Sequence, residues 1–338
     1  MTNCILCPRK CGANRVSDDE MNRALHKEAK PGFCGQTDQV TLARAALHMW
    51  EEPCISGTRG SGAVFFCGCN LRCVFCQNAD LANSKVGRSV SVERLSVIFL
   101  ELQEQGAHNI NLVTAGHFIE QIAKAIEDAK TQGLVIPIVY NTGTYEYADS
   151  IKKLDGLIDV YMPDLKYVDG ALANKLSHAP DYFDRAREAI AEMYRQVGTV
   201  KFNLLHPTSD EEISYNQTSN DAIPYNETSC NAPSLMAKGV LVRHLVLPGH
   251  TQDSKRVLEY LYNTYGDSIY ISIMNQYTPM PDIESRIPDM PELHRTLTPR
   301  EYDKVINYAL DLGITNAFIQ EGETCKESFI PLWDYAGV

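Results

Sequence analysis

The sequence is short of positive charge. Its 31 Lys and Arg residues stand against 43 Asp and Glu residues, a formal net charge of -12. This deficit argues against a protein that binds nucleic acid on a broad basic surface. No apolar run approaches the ~20 residues that span a bilayer, and the first ten residues, MTNCILCPRK, lack the apolar core of a secretory signal. We therefore expect a cytoplasmic protein without nucleic-acid or membrane partners.

Cysteine, by contrast, is plentiful, with eleven residues. In a chain without an export signal, this number favours metal ligands or reactive thiols over disulfides. The hydrophobic content of 44% is enough for a buried core, and 338 residues suit one large α/β domain or two ordinary ones.

From residue 61 onward, apolar β-rich runs alternate with amphipathic helical patterns. Six runs are predicted to be strands, and a shorter run at 316–321 adds a last one; the six are 63–66, 109–114, 135–141, 157–163, 239–248 and 268–274. Strands that alternate with helices build a parallel sheet. The predicted fold class is α/β, a partial (β/α)6 TIM-like barrel, in which chemistry takes place at the C-terminal ends of the strands.

Two segments stand outside this alternation. Residues 1–60 have their own cysteines, so we expect an N-terminal cysteine-rich, metal-binding extension to a barrel formed by residues 61–338. Residues 206–234 are polar and rich in Ser, Thr, Asn and Pro, and they precede the fifth strand. Such a long loop in a compact domain predicts a surface insertion.

The stretch FFCGCNLRCVFCQN begins where the first predicted strand ends. Cys69, Cys73 and Cys76 have the spacing C-x3-C-x2-C, so one loop can surround a single metal centre with three thiolates. Zinc and an iron–sulfur cluster both accept such ligands. Structural zinc normally needs four protein ligands, whereas three cysteines on a four-iron cluster leave one iron open for a substrate. Cys67 lies outside the triplet, and we expect it to be a buried core residue.

A second set of cysteines precedes the barrel. Cys4, Cys7, Cys11 and Cys34 can supply four thiolates. This spacing suits structural zinc and equally an auxiliary iron–sulfur cluster. Ligation of either would fold a segment that is too short to form a core of its own.

The C-x3-C-x2-C loop, with Phe75 before its last cysteine, resembles the cluster loop of radical S-adenosylmethionine (SAM) enzymes. The resemblance implies that Cys69, Cys73 and Cys76 hold a [4Fe-4S] cluster whose open iron binds SAM. An electron from the cluster then cleaves SAM to methionine and a 5′-deoxyadenosyl radical, which abstracts hydrogen. The cofactor supplies this chemistry, and the protein supplies binding and orientation.

Further segments resemble the pyruvate formate-lyase activating enzymes, in the variant with an N-terminal cysteine segment: NLVTAGHF (111–118), YNTGTY (140–145), DVYMPDLKY (159–167) and VRHLVLPGH (242–250). The resemblance implies a radical SAM oxidoreductase that acts on a protein or peptide, such as a glycyl radical enzyme, with a flavodoxin- or ferredoxin-type electron donor. A radical SAM enzyme for another peptide or a small molecule, and a metal-stabilised binding protein without catalysis, are the alternatives.

The same resemblance implies a set of cofactor-binding residues. In the family, an Asp-Thr turn and a Met-x-Asp-x-Lys segment hold a monovalent cation near SAM. The matching positions here are Asn141 and Thr142, followed by Met162, Asp164 and Lys166. Asn141 replaces the family's Asp and removes one negative charge, which weakens any cation site.

Other positions are expected to contact SAM itself. Thr114, Ala115 and Gly116 stand where many radical SAM enzymes have a GGEP-like segment, and this TAGHF segment has no glutamate of its own. His117 is either a ligand contact or a packed imidazole. Arg243 is expected to face SAM or the substrate, and Asn275 to reach the adenine or ribose.

Overall fold

The computed structural model describes residues 4–15, 30–203, 234–320 and 332–338. The strands in these residues are β1 Thr41–His48, β2 Ser61–Phe66, β3 Arg88–Ser89, β4 Ile110–Val113, β5 Ile138–Thr142, β6 Val160–Pro163, β7 Lys201–Asn203, β8 Leu235–Leu245, β9 Tyr270–Met274 and β10 Ala317–Ile319. The α-helices are α1 Pro53–Ser56, α2 Ala79–Ala82, α3 Val92–Glu104, α4 Ile119–Thr131, α5 Ala148–Ile151, α6 Gly170–Ser177, α7 Tyr182–Val197, α8 Thr251–Tyr265, α9 Ile283–Arg286 and α10 Pro299–Leu312. No helix in these ranges has the length and apolar character needed to cross a membrane.

The strands form one sheet in the order β10-β9-β8-β6-β5-β4-β2-β1-β3, and β7 pairs with β8. The run from β2 to β10 is parallel, while β1 pairs antiparallel with β2 and β3, and β7 pairs antiparallel with β8. The predicted α/β partial barrel is therefore confirmed, as is each of its seven predicted strands. The C-terminal ends of these strands lie along one edge, which is where a barrel of this type has its active site.

Three strands lie outside the predicted set, namely β1, β3 and β7. β1 belongs to the segment assigned to the N-terminal extension, and it pairs with β2 from Leu42 opposite Phe66 to His48 opposite Ser61. Its sequence, TLARAALH, has only one β-branched residue, Thr41, of the kind that marks strands, which is why it was missed. The predicted insertion at 206–234 lies outside the described residues except for Ser234.

Both faces of the sheet are buried, as is usual for parallel strands. Alternate residues such as Val64, Leu112 and Tyr140 pack against the helices. Their neighbours along the strands face the inner surface of the barrel, where Val139 and Leu241 meet the α1 side chains. This inner surface becomes polar towards the C-terminal strand ends.

The last helix begins as its sequence predicts. The Thr298 Oγ1 accepts a hydrogen bond from the Glu301 N–H at 3.3 Å, and the Glu301 carboxylate accepts one from the Thr298 N–H at 3.0 Å. Pro299 occupies the first turn of α10, and Gly313 ends the helix in a left-handed conformation. Thr298 as the N-cap, Pro299 at the first helical position and Gly313 as the stop are all local sequence patterns, whereas the reciprocal bond to Glu301 was not predicted.

We expect Thr298→Ala to lower the free energy of unfolding by about 1 kcal/mol, because the Glu301 N–H loses the hydroxyl that accepts its hydrogen bond. The shift of the urea denaturation midpoint measures this loss. Thr296→Ala, two residues earlier on an exposed position, is the matched control and should leave the midpoint unchanged. Equal midpoints for the two variants would contradict the role of the capping box.

Candidate functional site

The cysteine loop leaves the C-terminal end of β2, and each of its three thiols has a hydrogen-bond donor nearby. Two donors belong to the loop and its C-terminal end, and the third is Ser177 at the end of α6. The Leu71 N–H lies 3.4 Å from the Cys69 Sγ, and the Ser177 Oγ lies 2.9 Å from the Cys73 Sγ. The backbone N–H of Asn78 donates to the sulfur of Cys76. Such donors stabilise sulfur as a thiolate, which is the ligating form.

Burial opposes that charge as long as the thiols have no metal. It raises the pKa of Cys76 to about 12. It also raises the pKa of Cys73, although the nearby Lys166 ammonium acts in the opposite direction. A metal compensates for the charge of ligating thiolates. Three soft, close, half-buried sulfurs with hydrogen-bond donors are therefore a donor set that fits an iron–sulfur cluster.

The described residues contain no three His, Cys, Asp or Glu side chains that are arranged to hold a single metal ion. This finding covers both sets of cysteines. A four-iron cluster is larger than one ion, so the thiols that hold it stand further apart than the ligands of zinc do.

The second part of the site is a buried charged network around Arg243 on β8. The Arg243 Nε donates to Asp164 at 2.9 Å, and its Nη2 donates to the Oδ1 of Asn141 at 2.7 Å. A third contact joins its Nη1 to Glu51 at 3.3 Å. The Nζ of Lys166 donates to the other oxygen of Asp164 at 2.6 Å. Three neighbouring strands and the segment after β1 thus meet at one guanidinium.

The charges in this network balance one another. Burial alone would raise the pKa of Asp164, but the Arg243 and Lys166 cations outweigh it and lower that pKa. Burial raises the pKa of Glu51 and of Glu52, against the opposing effect of Arg243. Asp164 is therefore the most strongly ionised carboxylate of the three.

The residues that the sequence assigned to a monovalent cation already have partners within the protein. The side-chain oxygen of Asn141 and both carboxylate oxygens of Asp164 accept hydrogen bonds from the protein's own cations. The Thr142 hydroxyl donates to Glu146, and Met162 is buried among apolar inner-surface residues. These four positions and Lys166 lie together at neighbouring strand ends. The side-chain oxygens of Asn141 and Asp164, however, already accept hydrogen bonds from a guanidinium and an ammonium.

The turn after β4 brings backbone close to a carboxylate that the sequence reading missed. Thr114 has a left-handed backbone (φ 62°), a strained conformation for a β-branched residue. Ala115 is fully buried. A Cβ on Gly116 would lie 2.5 Å from the Glu146 Oε1, so only glycine fits against that carboxylate. The Oε2 of Glu146 also accepts a hydrogen bond from the Tyr140 hydroxyl at 3.0 Å.

Other sequence predictions are resolved by their surroundings. His117 is a packed imidazole: its Nε2 lies 2.7 Å from the carbonyl oxygen of Cys67, and burial lowers its pKa to about 3. Cys67 has no exposed surface, which confirms its prediction as a core residue. Asn275 follows β9, where its N–H donates to the Gln320 side chain at 3.0 Å.

Comparison with known proteins gives a match to the same region. The family model of the Radical SAM superfamily matches residues 63–214. This segment therefore resembles a radical SAM domain. Domains of this superfamily use a [4Fe-4S] cluster and SAM, and the matched segment includes the cysteine loop, Asn141, Asp164 and Lys166.

Individual relatives are more distant. An uncharacterized protein of Methanocaldococcus jannaschii is 25% identical over 321 residues, which cover 92% of this chain and 76% of that protein. SuiB of Streptococcus suis, solved with its precursor peptide SuiA, has a TM-score of 0.45 and 12% identity, with coverage of 75% of this chain and 46% of SuiB. A domain of pyruvate-formate lyase-activating enzyme from Bacteroides vulgatus has a TM-score of 0.35 and 12% identity, with coverage of 60% and 91%. The chain spans about half the length of SuiB, and likeness at these TM-scores carries no argument about function.

Two acidic residues of the candidate site were not predicted from the sequence. Glu146 lies thirty residues beyond Gly116, and Glu51 lies in the segment assigned to the extension. One signal for Glu146 was available, because this glutamate lies five residues after the end of the predicted strand at 135–141. No local pattern marks Glu51, since it reaches Arg243 only through the pairing of β1 with β2.

We expect the buried carboxyl of Glu146 to make the protein less stable as the pH rises. Burial raises its pKa from 4.5 to about 6, although Thr142 and Tyr140 partly counteract it. The folded protein therefore holds this proton more tightly than the unfolded chain, and it loses about 2 kcal/mol between pH 4.5 and pH 7. Glu146→Gln should abolish this loss, which denaturation of both proteins across that pH range measures.

The matched control for this experiment is Glu127→Gln, on the exposed side of α4. The difference in unfolding free energy between the native protein and Glu146→Gln should change with pH by about 2 kcal/mol. The same difference is measured between the native protein and Glu127→Gln. If it changed with pH as much as the difference for Glu146→Gln does, the assignment of this titration to Glu146 would be contradicted.

Proposed function

We propose that this radical SAM enzyme cleaves SAM reductively and abstracts a hydrogen atom from a protein substrate, namely a glycine of a glycyl radical enzyme. One observation carries the proposal. The three thiols of the cysteine loop and the Arg243 network stand at the C-terminal ends of neighbouring parallel strands, and Lys166 acts electrostatically on Cys73. Sites for a cluster and for a charged cofactor are thus side by side.

The bound cluster and SAM together supply one-electron cleavage of a carbon–sulfur bond. In the overall reaction, one electron from a flavodoxin- or ferredoxin-type donor, one SAM and one glycine C–H yield methionine, 5′-deoxyadenosine and a glycyl radical. The electron reduces the sulfonium, and the hydrogen atom ends on the 5′ carbon. Charge, atoms and electrons therefore balance without a further reagent.

The protein's own residues bind and orient the reactants. Cys69, Cys73 and Cys76 hold the cluster. Arg243 is the cation of choice for a carboxylate, because its planar group donates two parallel hydrogen bonds. Asp164 fixes the orientation of that guanidinium.

The other charged group of SAM needs acceptors rather than donors. The amino group of SAM is positively charged at neutral pH, and the acidic partner at the β4 end is the Glu146 carboxylate beside Gly116, which also accepts hydrogen bonds from Tyr140 and Thr142. The carbonyl oxygens of Thr114 and Ala115 add neutral acceptors. The absence of a side chain on Gly116 lets the Glu146 carboxylate lie against this backbone.

The choice of a protein substrate rests on resemblance. The segments at 111–118, 140–145, 159–167 and 242–250 resemble those of glycyl radical activases, whose substrate is a folded protein. The function is consistent with a cytoplasmic location, where a soluble electron donor is available.

Anaerobic reconstitution with iron and sulfide tests the proposal. The protein should become brown and convert SAM to 5′-deoxyadenosine when dithionite is added. Cys73→Ala should lose this activity and the cluster absorbance, because one of three cluster ligands is missing, while Cys54→Ala, which removes a buried thiol away from the loop, should retain both. SAM cleavage that persists in Cys73→Ala contradicts the ligand assignment.

The glycyl step needs its own readout. Pyruvate formate-lyase labelled with [2-2H]glycine is incubated with the reconstituted enzyme, SAM and reductant. An EPR doublet on the lyase and deuterium in 5′-deoxyadenosine are the expected results. SAM cleavage with neither result would reject this lyase-type substrate and favour another peptide or a small molecule.

We also propose that SAM binding here needs no monovalent cation. The guanidinium of Arg243 occupies the side-chain oxygens of Asn141 and Asp164 that would otherwise serve as cation ligands. The Kd for SAM should change less than about twofold when sodium and potassium are replaced by tetramethylammonium, since a tenfold change would correspond to 1.4 kcal/mol.

The variant Asn141→Asp restores the family's charge and should make SAM binding depend on sodium or potassium. Asn83→Asp adds the same charge on the surface and is the matched control. Cation-dependent binding in the unmodified protein, or no gain of dependence in Asn141→Asp, would reject the guanidinium as a replacement for the cation.

A further inference from the structure

The N-terminal cysteine segment packs directly on the loop that carries Cys69, Cys73 and Cys76. A Cβ on Gly68 would lie 2.4 Å from the carbonyl oxygen of Cys34, so the two backbones touch there. The side chain of Asn70 donates a hydrogen bond to the Cys7 thiol. Asn70, the partner of Cys7, directly follows Cys69 in the sequence. The two sets of cysteines are therefore adjacent in the structure.

The four N-terminal thiols are neighbours of one another. A Cβ on Gly32 would lie 3.2 Å from the Cys11 Sγ and 3.5 Å from the Cys34 Sγ. Cys4 acts electrostatically on both Cys7 and Cys34. These relations join all four thiols into one group.

Hydrogen-bond donors surround this group, although burial raises the pKa of Cys7 to about 11 and also raises that of Cys34. The Nη1 of Arg15 lies 3.7 Å from the Cys4 Sγ. Backbone N–H groups of Ala13 and Phe33 donate to the Cys11 thiol. A guanidinium and several N–H donors around clustered sulfurs are the surroundings that thiolate metal centres have.

Residues 4–15 have no helix or strand of their own in the structure. Their backbone is folded by a few turn hydrogen bonds, including Cys4 N–H to Ala13 at 2.9 Å and Lys10 N–H to Cys7 at 3.1 Å. A segment of this size cannot bury enough apolar surface to fix its conformation, and metal ligation is the usual substitute.

We propose that Cys4, Cys7, Cys11 and Cys34 bind an auxiliary iron–sulfur cluster, and that this centre holds Arg9 in place as a positioning residue for the catalytic cluster loop. The first part is independent of the proposed function. The second part rests on it, because it assumes a cluster at Cys69, Cys73 and Cys76.

Arg9 lies between two of the proposed ligands and bridges two parts of the catalytic site. Its Nε donates to the carbonyl of Asn70 at 2.6 Å, and its Nη2 donates to the carbonyls of Leu71 at 3.3 Å and Ser177 at 2.9 Å. A further bond reaches the carbonyl of His178. One guanidinium thus joins the cysteine loop to the C-terminus of α6, where a cation is also favoured by the helix dipole.

The bridge ends at a cluster ligand. Ser177, whose carbonyl accepts from Arg9, donates its own hydroxyl to the Cys73 Sγ at 2.9 Å. The guanidinium of Arg9 stacks on the Phe33 ring at 4.3 Å, and Arg72 of the cysteine loop stacks on the same ring at 4.7 Å. Phe33 immediately precedes Cys34, so both sides of Arg9 depend on the fold of the proposed metal centre.

The metal centre is tested in a protein that cannot bind the catalytic cluster. Cys69, Cys73 and Cys76 are replaced by alanine in the full chain, which is then reconstituted with iron and sulfide or with zinc. Elemental analysis should find iron with acid-labile sulfide, whereas binding of zinc alone would contradict the assignment of a cluster to this site. Additional Cys7→Ser and Cys11→Ser substitutions should remove this metal. A triple variant that retains no metal under either condition overturns the proposal.

The role of Arg9 is tested with the unmodified cysteines. Arg9→Gln should keep the N-terminal metal but release iron from the catalytic cluster to a chelator about tenfold faster, the lower end of what loss of an outer-sphere contact costs at metal sites. The EPR signal of the reduced, SAM-bound cluster should change in the same variant.

Lys255→Gln is the matched control, since Lys255 also lies over an aromatic ring, that of Tyr308 at 4.9 Å, but belongs to α8 and not to the cysteine loop or the N-terminal segment. It should leave iron release and the EPR signal unchanged. If Arg9→Gln released iron at the same rate as the unmodified protein and showed the same EPR signal, the positioning role would be overturned. Because the metal analysis requires no SAM cleavage, failure of the proposed function does not affect it.

Discussion

The site depends on one buried guanidinium. Arg243 bonds Asp164 and Asn141, and it pairs with Glu51 from the segment that precedes the barrel. A buried charge is costly unless it is paired and hydrogen-bonded, so the surrounding acids must keep their positions. These contacts hold β5, β6 and β8 in register at the end where chemistry takes place.

The cysteine loop has the opposite electrostatic problem. Burial raises the pKa of Cys76 and Cys73, so these two thiols resist ionisation in the absence of a metal. In the Arg243 network, by contrast, the cations lower the pKa of Asp164 and favour its charged form. Lys166, which contacts Asp164 and acts on Cys73, couples the two regions.

Features set by local sequence could be predicted, whereas those set by contacts between distant residues could not. The strands after residue 61, the α10 cap and the cysteine spacing are local patterns. Glu146 and Glu51 reach the site only through the way strands are paired, and Arg9 acts through carbonyl groups of residues more than sixty positions away. His117 was undecided because a sequence does not reveal which acceptor an imidazole meets; the Cys67 carbonyl decides it.

The position of α1 has a consequence for access. Ile55 and Cys54 pack with Val139, Val160 and Leu241 on the inner surface, and the Asn109 side chain, just before β4, donates to the Ile55 carbonyl at 2.7 Å. In the described part of the chain, α1 thus closes the barrel at the end opposite the cysteine loop. For the proposed function, this means that the electron donor and the substrate both approach the protein from the end that carries the cysteine loop.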